Sequence, residues 1–190
     1  MASRIQRPRK RRMLSLTVQG SEQPSPHFMT VTLGGEDVQH LQRAGFDQAG
    51  RLFFAEGHSY TPAPGAVWQL LVGDESALPA ILAILEQSAA NLPAEVFLEV
   101  PSSEDIRSDI TAPPGSVIRW LPRTDAGAKP GALALDAVKQ ARLPDGPFYA
   151  WTAGESSMAT GIRRHLVSER YVPKFDISFR GYFSYGRASL

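Results

Sequence analysis

The stretch V-W-Q-L-L-V-G-D-E-S-A-L-P-A-I-L-A-I-L-E, residues 67–86, sets the architecture of the chain. An apolar run broken only by Gln69 comes first. Gly73, three polar residues and an apolar helical stretch with Pro79 in its first turn follow. This reads as a buried strand, a tight turn and a helix entered at Ser76. Serine is a favoured N-cap, and proline is tolerated where the first helical N–H groups have no partner anyway. Strand, Gly turn and helix form the first unit of a nucleotide-binding α/β sheet, with a helix N-terminus free to meet an anion. The same pattern also suits a buried βα unit with no ligand, because a lone Gly turn is a weak signal.

Working outward, apolar segments at 95–100, 116–121 and 147–152 read as further strands, and D-I-S-F at 176–179 leads a last one into Gly181-Tyr182-Phe183. Helical patterns lie between them at 77–90, 131–142 and 155–170, the last carrying Met158, Ile162 and Leu166 at four-residue spacing. Strands alternating with helices imply right-handed crossovers and a parallel sheet covered on both faces. Upstream, 13–19 and 27–33 alternate apolar and polar residues, the period of a half-buried strand. R-L-F-F-A at 51–55 suits a third strand, 20–26 a loop, 36–43 a short helical turn and the Pro/Gly-rich 56–66 a linker. The expected fold is α/β: an open, mainly parallel five-stranded sheet flanked by helices, behind a short antiparallel β segment. Three segments follow: a basic arm at 1–12, the β segment and linker at 13–66, and the α/β domain at 67–190.

Composition narrows the chemistry. Hydrophobic content of 43% and charge of 21% are ordinary for a globular protein. The chain has no Cys, which excludes disulfides, thiolate metal sites and a catalytic thiol, and agrees with a cytoplasmic address. His27, His40, His58 and His165 show no metal-ligand spacing, so no dedicated metal site is expected. No apolar run approaches the roughly 20 residues of a membrane span, and the N-terminal charges have no apolar segment behind them, so neither a span nor a secretory signal is expected. Six Arg and Lys between Arg4 and Arg12 give the arm +6 of a net +1, leaving −5 on the rest. Such an arm is either a solvated tail or a contact for nucleic acid or an anionic membrane; no specific nucleic-acid module is visible.

In an open α/β sheet the ligand sits at the carboxyl ends of the strands. Two strands end in Gly beside an acid: Gly73-Asp74-Glu75-Ser76-Ala77 and Ala153-Gly154-Glu155-Ser156. Gly lets a backbone approach a ligand closely, while Asp74 and Glu75 serve equally well as helix caps. A serine hydrolase fits poorly. Gly154-Glu155-Ser156 continues into Ser157-Met158, so the G-x-S-x-G elbow is not met, and His165 precedes Asp176.

G-D-E-S-A-L-P-A-I at 73–81 resembles the G-D-E-T-A-L-P-A-I motif of siderophore-interacting proteins, the NAD(P)H-dependent ferric-siderophore reductases. Y-A-W-T-A-G-E at 149–155 with I-R-R-H-L-V-S-E-R at 162–170 resembles a second segment of that family, as do I-R-W-L-P-R at 118–123, I-S-F-R-G-Y-F at 177–183 and P-H-F-M-T-V-T-L-G-G-E-D at 26–37. The resemblance implies a ferredoxin-reductase plan, with an antiparallel barrel holding FAD and an α/β domain holding NAD(P)H. In that plan hydride passes to flavin and single electrons pass on to the ferric iron of a siderophore. By position, Gly73, Asp74, Glu75, Ser76 and Ala77 would line the nucleotide crevice, with Ala153, Gly154 and Glu155 bordering the nicotinamide. Ser102, Ser103, Arg107 and Arg123 are the candidates for the adenosine or a 2′-phosphate, and Tyr182 and Phe183 would lie near the flavin. No catalytic residue is singled out.

The chain departs from the family in its first third. The flavin-holding R-x-Y-T-x-R, H-G and G-P-A-S-x-W-A segments are absent. About three strands fit where a flavin barrel needs about six. The expected function is therefore ferric-siderophore reduction, with FAD expected from the family rather than from these residues. The alternative is a non-catalytic nucleotide-binding or interaction module. An incomplete barrel leaves open strand edges, so self-association is expected.

Overall fold

The computed structural model describes residues 14–40, 60–125 and 127–187. The basic arm at 1–12 and the strand expected at 51–55 lie outside the described residues. The first elements are two antiparallel strands, β1 (Thr17–Ser25) and β2 (Phe28–Gly34), followed by a short 3-10 turn over Glu36–His40. β1 runs through the segment expected to be a loop. Its register against β2 shifts between Val18 and Gly20 and again between Glu22 and Ser25, and Pro24 falls in the second irregularity. A strand exposed on both faces needs no apolar alternation; pairing with β2 satisfies its backbone, and Pro is accommodated at the bulge.

The remaining elements are β3 (Trp68–Gly73), α1 (Leu78–Gln87), β4 (Ala94–Val100), β5 (Val117–Pro122), α2 (Ala132–Gln140), β6 (Phe148–Glu155), α3 (Ser156–Ser168) and β7 (Ile177–Phe183). The five later strands form one sheet in the order β5-β4-β3-β6-β7, every neighbouring pair parallel. The α/β expectation holds, with element ends displaced by a few residues.

β3 explains the layering. It is buried along its whole length, so its side chains divide between two cores. Leu71 packs with Leu78, Ile81, Ile84 and Leu85 of α1, while Leu70 and Val72 pack with Val138 of α2 and Met158 and Ile162 of α3. Each such side chain, fully withdrawn from water, contributes about 1.5–3 kcal/mol. Gln69, the one polar residue of the run, is satisfied rather than stranded. Its Oε1 accepts from the Tyr60 hydroxyl at 2.7 Å, and its Nε2 donates to Ser88 Oγ at 3.0 Å and to the Leu92 carbonyl at 3.1 Å.

α1 begins at Leu78 after Ala77, and Ser76 is not its N-cap. The Ser76 hydroxyl turns back to Asp74 instead. Gly73 is what lets the helix start so close to the strand. A Cβ there would lie 2.6 Å from Ala77 Cβ and 2.9 Å from Ile81 Cδ1. No helix of the described residues is long and apolar enough to cross a membrane.

Gly73→Ala is expected to cost about 1–3 kcal/mol in urea unfolding, because the methyl meets well-packed α1 atoms. Gly161→Ala is the comparison. Its Cβ meets only the end of the Leu135 side chain, and a gain of up to about 1 kcal/mol in helix propensity offsets the crowding.

Candidate functional site

Between β3 and β6 the direction of winding reverses, since α1 covers one face of the sheet and α2 and α3 the other. The carboxyl ends of these two strands therefore open at the topological switch point, where α/β sheets hold ligands. Gly73 pairs with Ala153 there, so the turns at 73–77 and 153–157 sit side by side.

One carboxylate joins the two turns. Asp74, fully buried, accepts from the Glu155 backbone N–H at 2.6 Å through Oδ2. Its Oδ1 accepts from the Ser76 N–H at 2.9 Å and from the Ser76 hydroxyl. Gly154 makes room for it: at φ +134° it adopts a conformation open to glycine, and a Cβ on it would collide with all three carboxylate atoms. Burial pushes the Asp74 carboxyl up from its ordinary value, against the pull of the Ser76 and Glu155 donors, and the neighbouring Glu75 adds to the rise.

Glu155, the last residue of β6, caps α3. Its carboxylate accepts from the N–H groups of Ser157 (2.8 Å) and Met158 (3.2 Å), from the Ser157 hydroxyl and from the Tyr185 N–H at 3.3 Å. Lys129 Nζ lies 3.6 Å away and donates to Ser157 Oγ at 2.6 Å. Burial alone would raise this carboxyl; the donors around it outweigh burial and hold it below the ordinary 4.5. Glu99, at the end of β4, does for α2 what Glu155 does for α3. It accepts from the N–H groups of Gly131 at 2.8 Å and Ala134 at 3.0 Å.

The anion positions at the N-termini of α2 and α3 are thus filled by the protein's own acids. At α1 the Asp74 side chain and carbonyl take the N–H groups of Ser76 and Ala77. The expectation of a helix end open to an anion is corrected at α3, where Glu155 takes the Ser157 and Met158 N–H groups; at α1 Asp74 holds the turn ahead of the helix, which has no side-chain cap of its own.

Arg123 is committed as well. Its guanidinium grips Glu75 with two hydrogen bonds of 2.8 Å and donates to Glu99 at 3.1 Å. The two-toothed grip of Glu75 raises its pKa further, burial opposes this, and Glu99 adds to the rise. Glu75–Arg123–Glu99 therefore links the α1 turn to the start of α2.

The other candidates are placed separately. Ser102 donates through its N–H (3.1 Å) and hydroxyl (3.0 Å) to buried Asp105, Ser103 is exposed, and Arg107 keeps Nε buried without a partner. Asp105 also holds the hairpin, accepting from His27 Nδ1 at 2.8 Å and from the His27 N–H at 3.3 Å. Burial raises this carboxyl, but the hydroxyl, imidazole and N–H donors together lower it. Tyr182 and Phe183 end β7, where the register against β6 slips between Gly154 and Glu155. The Phe183 carbonyl accepts from Ser156 Oγ at 2.6 Å, and Tyr182 packs on the α1 face.

Of the residues singled out from the sequence, the structure brings 73–77, 153–155 and Arg123 into one connected network. Glu99, Asp105, His27, Lys129 and Tyr185 were missed. An acid near the end of a buried strand was the available signal for Glu99, since a charge there must find partners. Among the described residues no group of three or more His, Asp or Glu could hold a metal ion.

Two stability measurements test this network. Arg123→Ala leaves Glu99 buried without its counter-charge, and a loss of about 3–5 kcal/mol in urea unfolding is expected. For Glu155, whose carboxyl is depressed, the stabilisation is present above the unfolded value near 4.5 and is lost as pH falls through the lower folded value. The stability gap between native protein and Glu155→Gln should be widest near neutral pH and close in acid; a gap that widens in acid contradicts the arrangement.

Comparison with known proteins agrees with this architecture. Residues 66–186 match the family model described as siderophore-interacting protein. The chain is similar to the ferric vibriobactin reductase ViuB of Vibrio cholerae, 37% identical over 124 residues, which are 64% of this chain and 45% of that protein. Among solved structures it is similar to a siderophore utilization protein from T. fusca (TM-score 0.76, 22% identity, 95% of this chain and 97% of that one). It is also similar to the siderophore-interacting protein SipS from Aeromonas hydrophila (TM-score 0.67, 20% identity, 90% and 97%). The chain spans about half the length of the curated relatives it matches. With the family model covering well over half of its residues, the chain belongs to the siderophore-interacting protein family.

Proposed function

We propose that this protein serves ferric-siderophore reduction and that the β3–β6 edge receives the nicotinamide end of NADH or NADPH. The observation that carries the reading is the Asp74 bridge to the Glu155 N–H, which joins both turns at the switch point over an acidic floor. Similarity to ViuB, a ferric vibriobactin reductase, supports a ferric siderophore as the substrate class.

The rim fits a nicotinamide better than a pyrophosphate. Ser76 and Ser157 are exposed, and Glu75, Ser156, Tyr182 and Ser184 are half-buried. The Ser76 and Ser156 hydroxyls, whose protons go to Asp74 and the Phe183 carbonyl, suit the carboxamide NH2 as acceptors, the ring of Tyr182 suits a flat face, and buried Asp74 and Glu155 favour the positive charge of the oxidised ring. When bound, the nicotinamide supplies a hydride. A phosphate is better placed near Arg107 and exposed Ser103, because Arg123 is bound by two carboxylates and Ser102 gives its N–H and hydroxyl to Asp105. In this assignment Gly73, Ala77, Ala153 and Gly154, all buried, shape the floor and need not touch the ligand.

A flavin does not fit the described residues. Two strands do not enclose one, and the β2 side chains that alternate outward, Met29, Val31 and Leu33, are exposed. Ferric iron accepts one electron and a hydride carries two, so the reduction requires a carrier that divides the pair. This favours a second reading, a nucleotide-binding module without a flavin of its own. The same exposed strand face, with Val18 opposite Leu33, supports self-association through the hairpin.

Calorimetric titration of the full chain with NADH and NADPH is expected to show binding, and Arg107→Ala should weaken NADPH selectively. No binding of either nucleotide overturns the proposal. Gel filtration after FAD reconstitution separates the two readings: absorbance near about 450 nm that travels with the protein supports a reductase holding its own flavin, and a colourless protein supports the module. In sedimentation the native chain should associate and a Val31→Lys, Leu33→Lys variant should dissociate; a clean native monomer overturns self-association.

A further inference from the structure

The loop that follows α3 presents two large aromatic side chains to water. Tyr171 is 84% exposed and Phe175 81%, and Lys174 stands between them. Neither aromatic stabilises the fold by burial, and Tyr171 carries a further cost. It is the one non-glycine residue at positive φ among the described residues, at 56°. It stands just beyond α3, where left-handed backbone is needed so that the Val172 N–H can reach the Leu166 carbonyl at 2.9 Å. Glycine meets that need without strain. A bulky ring kept at a glycine position, with no contact to repay it, points to use outside the chain.

The charge around the two rings is mostly positive. Arg164, Arg170 and Lys174 are exposed, and the Arg163 guanidinium stacks 4.8 Å over the ring of Phe179, itself 41% exposed. Two acids lie in the same segment: Glu169 is exposed and pairs with His165 at 3.2 Å, and Asp176 is half-buried, so the four cations still outnumber them. Rings this exposed have no wall around them, so they form no pocket for a peptide side chain and no groove that tracks a nucleic-acid backbone. Protruding aromatics flanked by cations match the boundary between headgroups and acyl chains, where rings insert shallowly and basic side chains remain among anionic headgroups.

We propose that the 170–175 loop is a membrane-docking surface that inserts Tyr171 and Phe175 into an anionic phospholipid leaflet while Arg170 and Lys174 engage its headgroups. This surface is separate from the β3–β6 edge and does not depend on the proposed chemistry there. The test is flotation of the full chain with vesicles of phosphatidylcholine alone and of equal phosphatidylcholine and phosphatidylglycerol. Binding to the anionic vesicles and little to the neutral ones is expected. Lys174→Ser should weaken it by about fivefold. Tyr171→Gly with Phe175→Ser should weaken it by at least about tenfold; because Tyr171→Gly relieves backbone strain, its thermal midpoint should be unchanged or raised, which rules out unfolding as the cause. A full-length variant with Arg7, Arg9, Lys10, Arg11 and Arg12 replaced by serine should retain the dependence on Tyr171 and Phe175. The proposal is overturned if the native chain ignores anionic vesicles, if the double variant binds as the native chain does, if neutralising the arm alone abolishes binding, or if the two aromatics are required for binding a duplex oligonucleotide and not for vesicles.

Discussion

A buried carboxylate seated on the turn that opens each helix is the constraint on which the rest of this structure depends. Asp74, Glu99 and Glu155 are each almost or fully inaccessible to water, and each spends its oxygens on backbone N–H groups. The helix dipoles and unpaired donors at these ends would otherwise require water or a ligand. With the acids in place, the first N–H groups of α2 and α3 have partners within the protein, and the turn ahead of α1 is held by Asp74. The counter-charge is equally economical: Arg123 serves Glu75 and Glu99 together, so the α1 turn, β4 and α2 share a single guanidinium.

That arrangement redefines what a Gly-rich turn means in this fold. Gly73 and Gly154 look in sequence like places where backbone meets ligand. In the structure each yields its space to the protein, Gly73 to Ala77 and Ile81, and Gly154 to the Asp74 carboxylate. The edge is acidic beneath and hydroxyl-lined above.

Much of the architecture was legible because burial on both faces writes a plain pattern. Trp68 to Val72 could be read as a central strand from its apolar continuity, and Met158, Ile162 and Leu166 marked the inner face of α3. Three things were not legible for physical reasons. β1 continues through G-S-E-Q-P-S because an exposed hairpin is held by backbone pairing, which leaves no periodic trace in side chains. Arg123 resembled a phosphate ligand because an arginine after a strand carries the same signal whether its partner is a phosphate or a carboxylate 48 residues away. Ser76 was misread as a cap because the acid two positions earlier competes for its hydroxyl.

The Asp74–Glu155 hydrogen bond spans 81 residues of chain. The G-D-E-S-A segment leaves the ribosome long before its partner does, so a nascent chain shorter than Glu155 already contains half of the crevice and none of its bridge. During that interval Asp74 must be solvated or held by Ser76 alone. The crevice thus closes only once Glu155 has been made, and a product truncated before it retains the most recognisable motif of the family without the bridge that joins the two turns.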